Sequence, residues 1–212
     1  MKKQLLIFDL DGTLADTAAD LATAVNLMRA HYSLTPLSRA AVEQCVGDGI
    51  RQLVERGLAG AAVDVDEALA LYRGIYREHM LDETQLYPGA ADGLRRLTEQ
   101  GNVAAVLTNK VNDSSRKILD HLGVTKYFIR IIGGGDLPNL KPSPDGIFEL
   151  MNAAGVDAEN TWMIGDHHTD LEAAQRAGVH SGFVTYGIGH PADFRADQTW
   201  NTFDELVTFF TN

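Results

Sequence analysis

The sequence predicts an α/β protein, with a doubly wound parallel-sheet, Rossmann-like core and a small inserted helical cap domain. Three observations predict it. Short apolar runs at Leu5–Phe8, Val103–Leu107, Phe128–Ile132, Trp162–Ile164 and Phe183–Val184 mostly lack polar alternation, as strands buried on both faces do. Helical patterns separate the later runs, and such alternation builds a parallel sheet through right-handed crossovers. From Asp16 to about Gln85 the alternation stops and only helical spacing appears.

The elements follow in order. Leu5–Phe8 comes directly after Met1-Lys2-Lys3 and briefly imitates a signal peptide, but Asp9 and Asp11 interrupt it before the roughly 7 to 15 apolar residues such a segment needs. It reads as a buried strand. Thr17 with Asp20 suggests a capping-box-like helix start, followed by Leu21, Ala24, Val25 and Met28 at helical spacing. Ile50, Leu53 and Val54 mark a second helix, and Leu69, Tyr72, Tyr76 and Met80 a third, all assigned to helix packing. Beyond Gln85, helices are expected around Leu94 and Leu97, around Ile118, Leu119 and Leu122, and around Ile147, Phe148, Met151 and Ala154. The last opens with Ser143-Pro144 and closes on Gly155, which reads as an N-cap, a first-turn proline and a C′ glycine. Phe203 to Phe210 is a packing helix. The expected division is therefore 1–15 with 86–212 as the core and 16–85 as the cap, seated above the carboxyl ends of the strands, where open α/β sheets bind ligands.

Eighteen Lys and Arg against 29 Asp and Glu leave a formal charge of −11. That balance argues against nucleic acid or an anionic membrane as partner, since both need clustered cations. No run approaches the roughly 20 apolar residues that span a bilayer. The lone Cys45 excludes an intramolecular disulfide and fits a reducing compartment. The expectation is a cytoplasmic protein, monomer or homodimer.

The strongest chemical signal is Phe8-Asp9-Leu10-Asp11-Gly12-Thr13 at the end of the first strand. Two carboxylates two residues apart can share work, one meeting a hard cation while the other moves protons. Three further features follow predicted strands on the same sheet edge: Thr108-Asn109-Lys110, then Lys141-Pro142 after Gly133-Gly134-Gly135, then Gly165-Asp166-His167-His168-Thr169-Asp170. So many acids in one crevice repel each other unless a divalent cation joins them.

This ordered set, Asp9-x-Asp11-Gly-Thr, Thr108-Asn, Lys141-Pro and Gly165-Asp166 with Asp170, resembles the four signature motifs of the haloacid dehalogenase superfamily of phosphohydrolases, over essentially the whole chain. The inserted helices match that family's small cap in place and size. Asp16-Thr17, Gly47-x-Gly49, Tyr87-Pro88-Gly89, Leu107 to Lys110, Gly135-Asp136 and Lys141 to Asp145 look most like its phosphoglycolate phosphatase branch. The resemblance implies a Mg²⁺-dependent hydrolase of a small phosphorylated metabolite. Asp9 would be the nucleophile, Asp11 the acid and base, and Asp9, Asp11 and Asp166 the metal ligands. Thr108, Asn109 and Lys141 would hold the phosphoryl group, with Asp170 orienting Lys141 or a metal-bound water. Dehalogenating and cation-pumping members lack the aspartate at position 11, and phosphonatase-type members need a cap lysine that positions 16–85 do not contain.

For the far end of a substrate carrying a carboxylate, Arg51 is the cap candidate and Lys110 the second, because Arg is enriched at such sites. Gly47 and Gly49 let backbone approach a ligand. His167 and His168 depart from the commoner small residues and resemble pyrophosphatase-like members, but adjacent side chains point apart and Mg²⁺ prefers oxygen. Rival functions are hydrolysis of pyrophosphate or a sugar phosphate and, in another class, a receiver-type phosphoryl-accepting module. The absence of a Gly-x-Ser-x-Gly elbow argues against a serine hydrolase.

Overall fold

The structure, a computed structural model, describes residues 3–212. Six strands form one parallel sheet: β1 (Leu5–Phe8), β4 (Val103–Val111), β5 (Phe128–Gly134), β6 (Thr161–Gly165), β7 (His180–Val184) and β8 (Gln198–Trp200), in the order β5-β4-β1-β6-β7-β8. The chain starts in the middle of the sheet, builds one side through β4 and β5, then returns beside β1 to build the other. That reversal opens a crevice at the carboxyl ends of β1, β4 and β6.

Alternation along the strands explains the layers. All four residues of β1 are fully buried. Leu6 and Phe8 pack with α5 (Ala90–Glu99) and α9 (Phe203–Thr211) on one face, whereas Leu5 and Ile7 pack with α7 (Asp145–Ala154) and α8 (His168–Ala177) on the other. The three-residue β8 has no expected counterpart in the sequence, because only Trp200 of its residues is buried.

A third apolar cluster lies among four helices, α1 (Ala18–His31), α2 (Arg39–Glu43), α3 (Ile50–Leu58) and α4 (Val65–His79), with Val25, Met28, Val54 and Tyr72 buried in it. The expectation of helices and no strand from Asp16 to about Gln85 is corrected at both ends of that stretch. β2 (Ala15–Asp16) pairs antiparallel with β3 (Gln85–Leu86), joining the two crossings between helices and sheet. Two-residue strands are too short to show a period.

The expected capping box at Thr17 is also corrected. Thr17 is the N-cap of α1 but makes no capping bond; its hydroxyl donates to Asp11 Oδ1 at 2.6 Å. Asp20 instead accepts the backbone N–H groups of Glu83 and Thr84 at 3.0 and 2.9 Å, so it ties the entry of the helical segment to its exit. Pro144 is the N-cap of α7 and not its first residue, while Gly155 ends that helix in the left-handed region. Gly133 and Gly134 belong to β5 and not to a loop. A Cβ at Gly133 would lie 2.6 Å from Asn112 Cα, so this strand position accepts only glycine. Among the described residues, no helix is long and apolar enough to cross a membrane.

Candidate active site

Parallel pairing brings the singled-out side chains to one sheet edge. Asp9 follows β1, Thr108 and Asn109 lie near the end of β4, Asp166 follows β6, and Asp170 sits in the first turn of α8. Lys141 reaches them from the segment between β5 and α7. Its Nζ lies 3.1 Å from Asp9 Oδ1 and 2.5 Å from Asp170 Oδ1, with the side chain 1% exposed. Burial works against its charge, but Asp170 and Asp9 outweigh that and hold its pKa above the ordinary lysine value.

Asn109 plays a part the sequence did not show. Its side-chain oxygen accepts the Lys141 N–H at 2.8 Å, while its amide donates to the Lys141 carbonyl and to the Gly47 carbonyl, each at 2.9 Å. One side chain thus fixes the lysine backbone and touches the helical segment. Asp170, fully buried, also accepts the His167 N–H at 3.1 Å.

Asp166 is held by three donors. The Thr13 hydroxyl meets Oδ1 at 3.0 Å, and the N–H groups of Ile188 and Gly189 meet Oδ2 at 2.9 and 2.8 Å. A Cβ on Gly12, whose φ is +80°, would lie 2.1 Å from that carboxylate, so glycine is required there. Burial pushes the Asp166 pKa up to about 7, helped by Asp9 and Asp170 and opposed by the Gly189 and Thr13 hydrogen bonds. Asp9 is raised by burial to about 6, with Lys141 opposing and Asp170 and Asp11 adding.

These carboxylates fit a hard divalent cation. Asp9, Asp166 and Asp170 each place an oxygen within 4.8 Å of the others, and all three are buried. Asp170 and Asp9 share the single ammonium of Lys141, and among the described residues Asp166 has no cation in contact with it, so three carboxylates face one positive charge. An all-oxygen donor set suits Mg²⁺.

Asp11 faces a different group. Lys110 Nζ lies 2.9 and 3.1 Å from its two oxygens and 4.6 Å above the Tyr76 ring. Lys110 is therefore no surface lysine: its side chain is 6% exposed. The cleft above Asp9 and Asp11 is lined by Gly47, Gly49, Ile50 and Leu53 and by Tyr72 and Tyr76 of α4. Packing alone was expected of the two tyrosines, but their buried hydroxyls have no hydrogen-bond partner.

Arg51 is not where the sequence reading put it. It is half exposed, pairs with Asp66 and Glu55, and does not line the cleft. α3 begins at Ile50, and each helical residue turns about 100° from the last. With Ile50 and Leu53 facing the cleft, Arg51 points elsewhere.

The expectation that His167 and His168 diverge is likewise corrected. Their ring centroids are 4.1 Å apart, because His167 is the extended N-cap of α8 and its Nδ1 faces the Thr169 N–H. Burial first, then His168, lowers the His167 pKa to about 4.

Comparison with known proteins places this geometry. The sequence pattern of the haloacid dehalogenase-like hydrolases matches residues 6–184. The chain belongs to that family. It is an enzyme, a phosphatase of the haloacid dehalogenase type. It is 37% identical over 202 residues to the phosphoglycolate phosphatase of Neisseria gonorrhoeae, covering 92% of this chain and 86% of that one. It is 36% identical to that of Chromobacterium violaceum, covering 97% and 95%. A crystal structure described as a predicted phosphoglycolate phosphatase from Haemophilus somnus 129PT superposes with a TM-score of 0.93 at 27% identity, over 99% of this chain and 98% of that one.

Proposed function

We propose that this phosphatase is a Mg²⁺-dependent phosphomonoester hydrolase of a small phosphorylated metabolite, phosphoglycolate before others, working through an aspartyl-phosphate on Asp9. The observation that carries the reading is the buried Asp9–Lys141–Asp170 chain with Asp166 beside it, at the floor of a cleft roofed by the helical segment. The division into a core of 1–15 with 86–212 and a cap of 16–85 is part of the proposal.

In the first step, the Asp9 carboxylate attacks phosphorus in line, forming an O–P bond as the ester P–O bond breaks. Asp11 gives the departing alkoxide its proton. In the second step Asp11 takes a proton from water, whose oxygen attacks the same phosphorus and returns Asp9 as carboxylate with inorganic phosphate as product. Thr17 and Lys110 hold Asp11 in place for both transfers. The Thr108 hydroxyl, the Asn109 N–H and Lys141 bind phosphoryl oxygens, and Asp170 fixes the ammonium through a 2.5 Å contact. Asp9 and Asp166, with the Asp11 carbonyl, would hold Mg²⁺, which when bound neutralises the charge of carboxylate and phosphoryl group brought together. Tyr72, Leu53 and Ile50 keep bulk water from the cleft. With Arg51 turned away, Lys110 and the unpartnered Tyr72 and Tyr76 hydroxyls are the groups offered to a substrate carboxylate.

The test is a side-by-side panel of phosphoglycolate, sugar phosphates, pyrophosphate and p-nitrophenyl phosphate with Mg²⁺. The highest kcat/KM is expected for phosphoglycolate. Preference for pyrophosphate or a sugar phosphate would overturn the substrate, and a single burst without turnover would point to a receiver-type module and overturn the hydrolase.

A further inference from the structure

A second cluster of metal-binding groups lies beside the carboxylate site and differs from it in chemistry. His167, which precedes α8, and His168, its first residue, meet Asp48, which arrives from the helical segment between Gly47 and Gly49. One ligand atom from each of the three lies within 4.8 Å of the others. His168 Nε2 is 3.9 Å from Asp48 Oδ1. A third imidazole joins them: the His190 ring is centred 5.4 Å from that of His167 and 5.7 Å from that of His168. The backbone brings it there, since the His168 N–H donates to the His190 carbonyl at 2.9 Å.

The helical segment approaches closely at this point. Gly47 has a φ of +118°, and a Cβ on it would lie 2.5 Å from the His167 ring. Nothing in the proposed chemistry on Asp9 uses His168, His190 or Asp48. Two imidazoles and a carboxylate oxygen already within 4.8 Å of one another, with the His190 ring beside them, make a nitrogen-rich donor set, which suits Zn²⁺ and similar transition metals, whereas Mg²⁺ prefers oxygen.

We propose that Asp48, His167, His168 and His190 form a binding site for a transition-metal ion of the Zn²⁺ class, and that the ion clamps the helical segment to the sheet edge. Three ligands come from the α/β layer and one from the loop between α2 and α3. An occupied site therefore resists any opening of the cleft, through which substrate and product must pass. The clamp's effect on turnover rests on the phosphatase reading, but occupancy of the site does not.

The first experiment titrates the full chain with Zn²⁺ in excess Mg²⁺, which keeps the carboxylate site filled, and reads heat of binding. Co²⁺ absorption bands report the coordination geometry. One equivalent of Zn²⁺ is expected to bind, with affinity falling at least about tenfold in His168→Gln and in His190→Gln, given how strongly site residues control metal affinity. Asp166→Asn is expected to leave Zn²⁺ affinity within about twofold, since its side chain belongs to the oxygen site. Circular dichroism checks that each variant is folded, and two histidine variants guard against the failure of one. No Zn²⁺ binding, or binding lost in Asp166→Asn but kept in both histidine variants, would overturn the site. The second experiment measures turnover with and without Zn²⁺. Inhibition reversed by a chelator and weakened in His168→Gln, each relative to its own zinc-free rate, is expected. Full activity with the histidine site occupied would overturn the clamp while leaving the site standing.

Discussion

Replacing Asp166 by Asn tests whether the buried carboxylates await a cation. In the metal-free protein Asp166 is raised from 3.8 to about 7, chiefly by burial. A carboxyl whose folded pKa lies above its unfolded value contributes stability at low pH and loses it as pH rises toward the folded value. Between about pH 5 and the folded pKa the Asp166 contribution falls by about 3 kcal/mol, at about 1.4 kcal/mol per pH unit, and Asp9, raised to about 6, loses stability in the same direction. At roughly 2–4 °C per kcal/mol for a chain of this size, the Asp166 part is about 6–12 °C in Tm. His167, lowered to about 4, works in the opposite direction, since its contribution grows as pH rises toward the unfolded histidine value. It is present in both proteins and cancels in their difference. Asn keeps an oxygen for the Ile188 and Gly189 N–H groups and an amide that can donate to Thr13, so the fold is preserved.

The assay is scanning calorimetry of wild type and Asp166→Asn in EDTA across about pH 5 to 8, repeated with Mg²⁺. In EDTA the variant should gain on the wild type steadily with pH. Mg²⁺ at about a hundredfold excess over its Kd should return roughly 3 kcal/mol to the wild type near pH 8, and little to the variant. A Tm difference that stays flat with pH, or equal protection of both proteins by Mg²⁺, would refute the reasoning.

Other predictions follow from the same contacts. Asp9→Asn should abolish turnover and the acid-stable protein-bound phosphate that mass spectrometry is expected to find in quenched wild type, while leaving the fold intact; retained turnover would remove Asp9 as nucleophile. Lys141→Met leaves Asp9 and Asp170 buried without their cation and should cost about 3–5 kcal/mol by chemical denaturation near neutral pH, with phosphatase activity lost. Asp11→Asn should lower kcat by about 10²–10⁴-fold for alkyl phosphates and less for p-nitrophenyl phosphate, whose leaving group needs no proton. Tyr76→Phe removes an unpartnered buried hydroxyl, so Tm should hold or rise while KM for phosphoglycolate increases and that for p-nitrophenyl phosphate does not.

Much of this was legible in the sequence for identifiable reasons. The uninterrupted apolar run at Leu5 to Phe8 can be buried on both faces only in a central strand, and both faces of β1 are covered. Because strands in a parallel sheet end on the same edge, motifs after β1 and β6 and near the end of β4 had to meet there, as Asp9, Asp166 and Thr108 do. The helical segment was visible from its period of 3.6. β8 was not, being a short edge strand with one buried residue, and neither were β2 and β3, each two residues long.

What the chain's order of residues determined alone was the kind of chemistry available: which acids, which lysine, and on which side of the sheet. Long-range contacts decided how those groups are used. Asn109 reaches Lys141 and Gly47 across 32 and 62 residues, Lys110 reaches Asp11 across 99, and the Ile188 and Gly189 amides reach Asp166 across 22 and 23. Arg51 went to Asp66 and not to the cleft because helix phase, not sequence proximity to Gly49, sets its direction. A local pattern encodes secondary structure and burial; the field at a buried carboxylate depends on whichever distant donors the packed fold carries to within about 3 Å of it.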